Sequence, residues 1–300
     1  MNAFVLSIRQ VRWGPSRQSP QWLVLLALAK QPVAILAAAV VLTVIVMAVG
    51  ADLIAPFDPA AADWSALREA PGGTHWFGTD DLGRDILSRM IYGARASLFA
   101  SIVSVSIAFA IGVPVGLCAG YLGGIVDGVV MRFTDAMLAI PALIFAVSLA
   151  AFLGPSLVNA VIAIGVAAIP VFIRLSRAQA MAVKFEEYVE AAFVIGNPRW
   201  RIVVNHILPN IVPALIVQAT LTMAFAVIAE ASLSFLGVGQ QPPAASWGNM
   251  LTTAKNYLEE APWMAIWPGA AIFLTVLSFN LLGDTLQDAL DPRSRPRTGI

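Results

Sequence analysis

Residues 136–173 read AMLAIPALIFAVSLAAFLGPSLVNAVIAIGVAAIPVFI, 38 positions without one charged side chain. A single helix over this stretch would greatly overshoot the roughly 30 Å of bilayer hydrocarbon, which about 20 residues cover. Gly154-Pro155-Ser156 supplies a turn near its middle. The stretch therefore reads as a hairpin of two membrane spans, about Val129–Leu153 and Leu157–Met181, with a bend expected at Pro170.

Four more uncharged runs flank it: Val33–Ala51, Ala96–Val126, Ile207–Ala229 and Ala261–Gly283. They place further spans at about Pro32–Leu53, Ala96–Gly120, Asn210–Leu236 and Trp263–Leu282, six in all. Small residues Gly112 and Gly116 in the second span suit close helix packing. The composition agrees, with 59% hydrophobic and 12% charged residues, against roughly 25% charged in soluble domains. The apolar run near Val33 follows a basic leader longer than that of a cleaved signal peptide. Within residues 1–31, the short patch Trp22–Ala29 reads as interfacial. The chain divides into this segment, a first span and polar loop (32–95), a core (96–284) and a charged tail (285–300).

The distribution of charge gives the orientation. Segments on the side of both termini hold thirteen Lys and Arg residues, and those on the opposite side hold five. The positive-inside rule puts both termini in the cytoplasm. The tryptophans, Trp13, Trp22, Trp64, Trp76, Trp200, Trp247, Trp263 and Trp267, fall in flanks or near span ends, as interfacial anchors do. A net charge of zero implies no nucleic-acid partner. Cys118 cannot form an intrachain disulfide and reads as a small packing residue.

Chemistry concentrates in 182–209, which should be cytoplasmic. Glutamates at 186, 187 and 190 open a short helix, and Gly196 can take the left-handed position that ends it. Asn197 is expected to cap a second helix, with Pro198 at its first position. Ala191 and Ala192 make the first helix thin enough to enter a partner's groove, and Glu190 offers a charge to an Arg there. Read from the residues alone, a solvated amphipathic loop is the commoner arrangement.

Several motifs shift that reading. Glu190-Ala191-Ala192 with Gly196, then His206-Ile207-Leu208-Pro209-Asn210, resembles the coupling loop of ABC-importer permeases. The run His75 to Asp85, Gly120–Gly124 with Asp127, Met131-Arg132 and Asp135, Glu230 to Gly239 with Ser246-Trp247-Gly248, and Asn280 to Arg293 resemble, in the same order, the dipeptide/oligopeptide/nickel permeases. The resemblance is weak over the first 31 residues, and Asn197-Pro198 departs from the Ala-Ser pair common in that family. It implies an all-α, six-helix type I importer fold in a bacterial inner membrane, importing peptides, or else nickel, glutathione or a similar solute. It further implies a distinct second permease, two ATPase subunits carrying ATP and Mg2+, and an external solute-binding protein. Glu190, Ala191, Ala192, Gly196, Asn197 and Pro198 would then dock the ATPase.

This chain carries no phosphate-binding loop of its own. Its three lysines, Lys30, Lys184 and Lys255, follow Ala, Val and Ala, so the Gly-Lys that such a loop needs is absent. An ion-coupled carrier, the competing class, needs ionisable groups inside its spans. Glu230 is the best candidate, and near the outer end of its span it reads better as a structural hydrogen-bonding residue by the outer gate. Asp80, Asp81, Arg84 and Asp85 read as a solvated helix start or a docking surface for the binding protein. His75 and His206 lie far apart without cysteine partners and indicate no metal site.

Overall fold

The computed structural model describes residues 31–290. The leader with Trp13 and Trp22, and the final ten residues, lie outside that range. Within it the chain is helical, with one isolated bridge between Thr79 and Asp85.

Helix α1 (Pro32–Ile54) buries Ala34, Ala37, Val44, Ala48 and Ala51, packs Val41 and Met47 against the core, and leaves most of its other residues exposed. Helix α2 (Ile86–Leu122) begins ten residues before the expected start of its span. Two features extend it. Asp85 caps it by accepting from the Ser88 N–H at 2.7 Å, and the arginines of the extra turns are paired. Arg95 donates to Asp52 and to the Ala48 carbonyl, and Arg89 donates to the Pro59 carbonyl.

The third span differs most from expectation. It is not one helix but two, α3 (Gly124–Leu138) and α4 (Ala142–Leu153), meeting at 86°. Pro141 is responsible: it has no N–H to continue the ladder and disfavours helical geometry at Ile140. Among the described residues five helices are thus long and apolar enough to cross a membrane, with a sixth crossing if the bent pair counts as one span. Helix α5 (Leu157–Lys184) follows, and Pro170 sits inside it without dividing it. It packs on α2 where Gly112, Gly116 and Gly120 meet it, since a Cβ at Gly116 would lie 2.4 Å from the Ile173 carbonyl oxygen. The close approach expected of small residues is present there.

After α5 come the short α6 (Glu187–Val194) and α7 (Arg199–Ile202), then a π turn (Val203–Ile207) leading into α8 (Leu208–Phe235). Pro209 accounts for the π turn, because it lacks the N–H that would bond the Asn205 carbonyl in α geometry. The expected loop 237–262 contains a helix that was not anticipated, α9 (Trp247–Ala254), closed by a 3-10 turn (Lys255–Tyr257). The last helix, α10 (Trp263–Leu290), carries the helical geometry into the segment read as tail.

The two ends of the bundle are distinct. Loops 55–85 and 237–262 share one end: Phe77 stacks on Trp267 at 3.9 Å, and Arg68 pairs with Glu260 at 3.5 Å. Trp263 donates to the Thr79 carbonyl at 3.3 Å in the same cap. At the other end Lys184 donates to the Tyr121 carbonyl at 2.7 Å, joining α5 to α2. This is the division that the charge count required. Trp64, Trp76 and Trp200 are exposed as anchors should be, but Trp247 is not an anchor. It is fully buried, and its indole N–H donates to the Met90 carbonyl at 3.0 Å.

Candidate functional site

At the cytoplasmic end, α6 is held in a defined pose. Its N-cap is Glu186, with Glu187 and Glu190 in the first turn, where they meet the positive end of the helix. Its C-terminus is a Schellman turn. The Gly196 N–H donates to the Phe193 carbonyl (3.0 Å) and the Asn197 N–H to the Ala192 carbonyl (3.2 Å). Gly196 has φ +85°, as expected. Asn197 is not the cap of the next helix. That position belongs to Pro198 (φ −66°, ψ 144°), one residue later than expected, because the Asn197 backbone is used to close the preceding turn.

The two alanines separate. Ala191 is exposed, whereas Ala192 is 4% exposed and packs with Val189, Ile202 and Ile207 in the chain's own core. Ala192 therefore cannot lie in a partner's groove; it fixes α6 to the bundle. The outward face carries Glu190 and Ala191, together with Phe185, Phe193, Val194, Ile195 and Trp200, all strongly exposed. Beside it lies a cavity of about 440 Å³ lined by Tyr121, Lys184, Glu190, Phe193 and Arg199, among others.

At the external end, the acidic cluster is a buried network and not a solvated helix start. Asp80, Arg84 and Asp85 are each under 9% exposed. Asp80 accepts from the Leu82 and Arg84 N–H groups and from Arg84 Nε at 2.7 Å, with Arg89 Nε 3.4 Å away. Asp85 accepts from Ser88 and meets His75 Nδ1 at 2.9 Å. Burial explains the pairing, since unpaired charges cannot be taken out of water. Direct contact with a docking protein is thus closed to these three side chains. Asp81 alone keeps a quarter of its side chain exposed, and desolvation, with Asp80 beside it, holds its carboxyl above the usual range.

Glu230 on α8 is completely buried. Its carboxylate accepts from Ser234 (2.8 Å) on the same helix and from Ser97 (3.2 Å) on α2, and Ser246, the N-cap of α9, lies near it. The structural reading of Glu230 fits this geometry. Its partners were not found from sequence: Ser97 is 133 positions away, and only Ser234, one turn along, left a signal.

Two ion pairs were also missed. Arg177 pairs with Asp127, and Arg174 Nη2 lies 2.6 Å from Asp135 Oδ1, so α5 holds α3 at two points. Asp127 and Asp135 stood out in sequence, but their partners did not. Among the described residues no group of three His, Cys, Asp or Glu converges as a metal site.

Residues 112–296 match the family described as binding-protein-dependent transport system inner membrane component. Residues 19–71 match the N-terminal TM domain of oligopeptide transport permease C. The chain is 42% identical to the dipeptide transport system permease protein DppC of Alkalihalophilus pseudofirmus, over 89% of this chain and 88% of that one. It is 43% identical to the glutathione transport system permease protein GsiD of Pectobacterium atrosepticum, over 88% of each. Among solved structures, an inward-facing form of the MetNI methionine ABC transporter aligns with a TM-score of 0.56 and 22% identity. The alignment covers 69% of this chain and 98% of that one, and marks a shared fold.

Proposed function

The chain belongs to the binding-protein-dependent transport system inner membrane component family, and from this we propose that it is the permease subunit of an ATP-driven importer. Its cargo is a dipeptide or a related small solute such as glutathione, as the names of its relatives suggest. The working unit pairs this chain with a second, distinct permease. Two ATPase subunits bind ATP and Mg2+ beneath the pair, and a solute-binding protein delivers cargo outside.

The observation that carries this reading is the pose of α6. One face is fixed to α7 and the π turn by Val189 and Ala192, and the other offers Glu190, Ala191, Phe193 and Val194 outward. A rigid element held on both sides can pass a displacement from a motor to the spans. Glu190 and Ala191 contact the ATPase, whereas Ala192, Gly196, Asn197 and Pro198 hold the helix in place. On the external face, Asp81 is the member of the acidic cluster placed to meet the binding protein.

The test is reconstitution with the presumed partner subunits. ATP-dependent uptake of radiolabelled dialanine or glutathione is expected, and Glu190→Ala with Gly196→Pro should abolish it. Uptake by the isolated chain on a proton or sodium gradient, without any response to ATP, would overturn the proposal.

A further inference from the structure

Helix α3 is joined to its neighbours by two loose ends. It leaves α2 through Gly123 and Gly124, both in the left-handed region at φ +68° and +56°. A Cβ at either would meet nothing within 4 Å among the described residues, so no side-chain packing sets the angle of this elbow. The far end of α3 is the break at Pro141. Within the subunit α3 buries one residue, Thr134, and Val130 packs partly buried against the core. Apolar contact inside the chain therefore does little to fix the direction of α3, and charged side chains take over that task.

All three cations of α5 act on this elbow. Lys184 donates to the Tyr121 carbonyl in the last turn of α2 at 2.7 Å. Arg177 takes both carboxylate oxygens of Asp127, in the first turn of α3, with Nη2 at 2.6 Å from Oδ2. Lys184 and Arg177 thus bracket the glycine pair, one on each side. Gly120 lets them reach, since a Cβ there would lie 2.6 Å from the Arg177 carbonyl oxygen. Arg174 Nη2 then holds Asp135 Oδ1 at 2.6 Å. Asp127 and Asp135 are about 12 Å apart along α3 at 1.5 Å per residue, and two attachments fix the direction of a rod as well as its position. The Asp127–Arg177 fork is bidentate, with side chains 20% and 25% exposed, the arrangement in which such pairs are strong. Only Phe185 and Glu186 separate α5 from α6, and Val189 and Ala192 of α6 share a core with Ile173 and Ala180 of α5.

We propose that Arg174 and Arg177 are positioning residues for ATP-coupled import: through Asp135 and Asp127 they make α3 follow the stroke that the ATPase applies to α6. The inference rests on the permease reading and extends it from the docking face to the next link. Neither arginine touches the motor or the solute in this role; each keeps α3 in register with α5. Breaking a pair leaves Glu190 and Ala191 free to dock the ATPase, so the motors still turn over. The elbow at Gly123-Gly124 then absorbs the stroke, and the fault is wasted ATP and not lost assembly.

The test is the coupling ratio of the reconstituted transporter: uptake of dialanine or glutathione against ATP hydrolysed in the same vesicles, both per assembled complex. Arg177→Gln, Asp127→Asn and their double variant form one cycle; Arg174→Gln, Asp135→Asn and their double form a second. Each single variant should lower uptake per ATP about tenfold, inside the roughly 5- to 150-fold range of couplings between sites, with hydrolysis within about twofold of wild type. Each double variant should be no worse than its singles, because both remove the same link. Arg177→Lys keeps the charge but loses the fork, and should fall between wild type and Arg177→Gln. A merely structural role would lower uptake and hydrolysis together and leave their ratio unchanged. An unchanged ratio in either cycle, or losses that multiply in the doubles, would overturn the proposal. If the buried fork is needed for assembly, the half-exposed Asp135–Arg174 cycle decides on the same terms. No ATP-driven uptake by the wild-type complex sinks the permease reading and the linkage together, whereas intact wild-type uptake with unchanged ratios sinks the linkage alone.

Discussion

Replacing Glu230 should loosen α9 from the bundle by a calculable amount. The carboxylate accepts from Ser97 and Ser234 in a fully buried site, with Ser246 of the α9 N-terminus close by. In Glu230→Ala two hydroxyls lose their acceptor, at about 1–3 kcal/mol for each one left unsatisfied. Ser234 and Ser97 can turn back to the carbonyls one helical turn earlier, as helical serines do, which recovers part of the loss. A net cost of about 2–4 kcal/mol follows once the vacated volume is added. Gln keeps one carbonyl oxygen and offers an NH2, and a serine hydroxyl can accept as well as donate. Glu230→Gln should therefore cost about 1 kcal/mol or less. Hydrogen exchange of the 247–254 amides in the assembled complex reads these numbers as local opening. Because 1.4 kcal/mol is tenfold, α9 should exchange about 30- to 700-fold faster in the Ala variant and within about fivefold of wild type in the Gln variant. Unchanged exchange in Glu230→Ala, or equal damage from Gln and Ala, would refute the idea that this carboxylate pins α9.

Other substitutions probe the remaining contacts. Ala192→Leu should overpack the contact with Ile202 and Ile207 and destabilise the chain by about 1–3 kcal/mol, whereas Ala191→Leu, facing outward, should leave stability within about 0.5 kcal/mol but weaken ATPase binding; thermal unfolding and pull-down of the ATPase subunits separate the two. Gly116→Ala would put its Cβ 2.0 Å from Ser176 Oγ and 2.4 Å from the Ile173 carbonyl oxygen, and should cost at least about 1–3 kcal/mol, while Gly269→Ala on α10, with open space around it, should be neutral or gain up to about 1 kcal/mol in the same unfolding assay. Asp81 has a folded pKa raised above 3.8, so the folded chain holds that proton more tightly than the unfolded one. Its contribution is present below pH 3.8 and lost as pH rises through the raised value. Asp81→Asn should then match or exceed wild-type stability at pH 7, with the gap closing as pH falls towards 4; a variant weaker than wild type at pH 7 would contradict this.

How much of this was legible in the sequence depends on what each feature must satisfy. The spans were readable because hydrocarbon imposes length and composition on each helix separately. The break at Pro141 was not, because proline inside a membrane helix is often accommodated and nothing local says when it is not. Helix α9 hid behind Pro242-Pro243 and a polar stretch, although Ser246 and Asn249 form a reciprocal capping box. Asparagine in place of the usual Glu or Gln weakened that signal. Asp80, Arg84 and Asp85 read as a solvated helix start or a docking surface because charges in loops usually face water; their partners Arg89 and His75 meet them only in three dimensions. Gly196 was legible since a left-handed turn names its residue. The inward Ala192 and outward Ala191 were not, because an eight-residue helix can be rotated until it meets its neighbours.

Those contacts also limit where the molecule can flex. From α6 the chain passes through α7 and the π turn into α8, which reaches the external side and holds α9 through Glu230, Ser234 and the close approach of Gly248 to Ala231. Helix α2 is locked to α9 by the Trp247 indole and to α5 by its three glycines. Elements packed this tightly move as bodies and do not bend smoothly. Two places interrupt the helical ladder inside this frame: the π turn at Val203–Ile207, between the exposed α6 and α8, and the break at Ile140–Pro141. Proline sits at both, at 209 and 141, and in each case the missing N–H exempts a carbonyl from the ladder. A push on α6 therefore meets one joint at the π turn and a second at the break between α3 and α4. The second joint lies one turn from the Asp135–Arg174 pair, which with Asp127–Arg177 ties α3 to α5, so a displacement of α5 carries α3 with it and is taken up at the break.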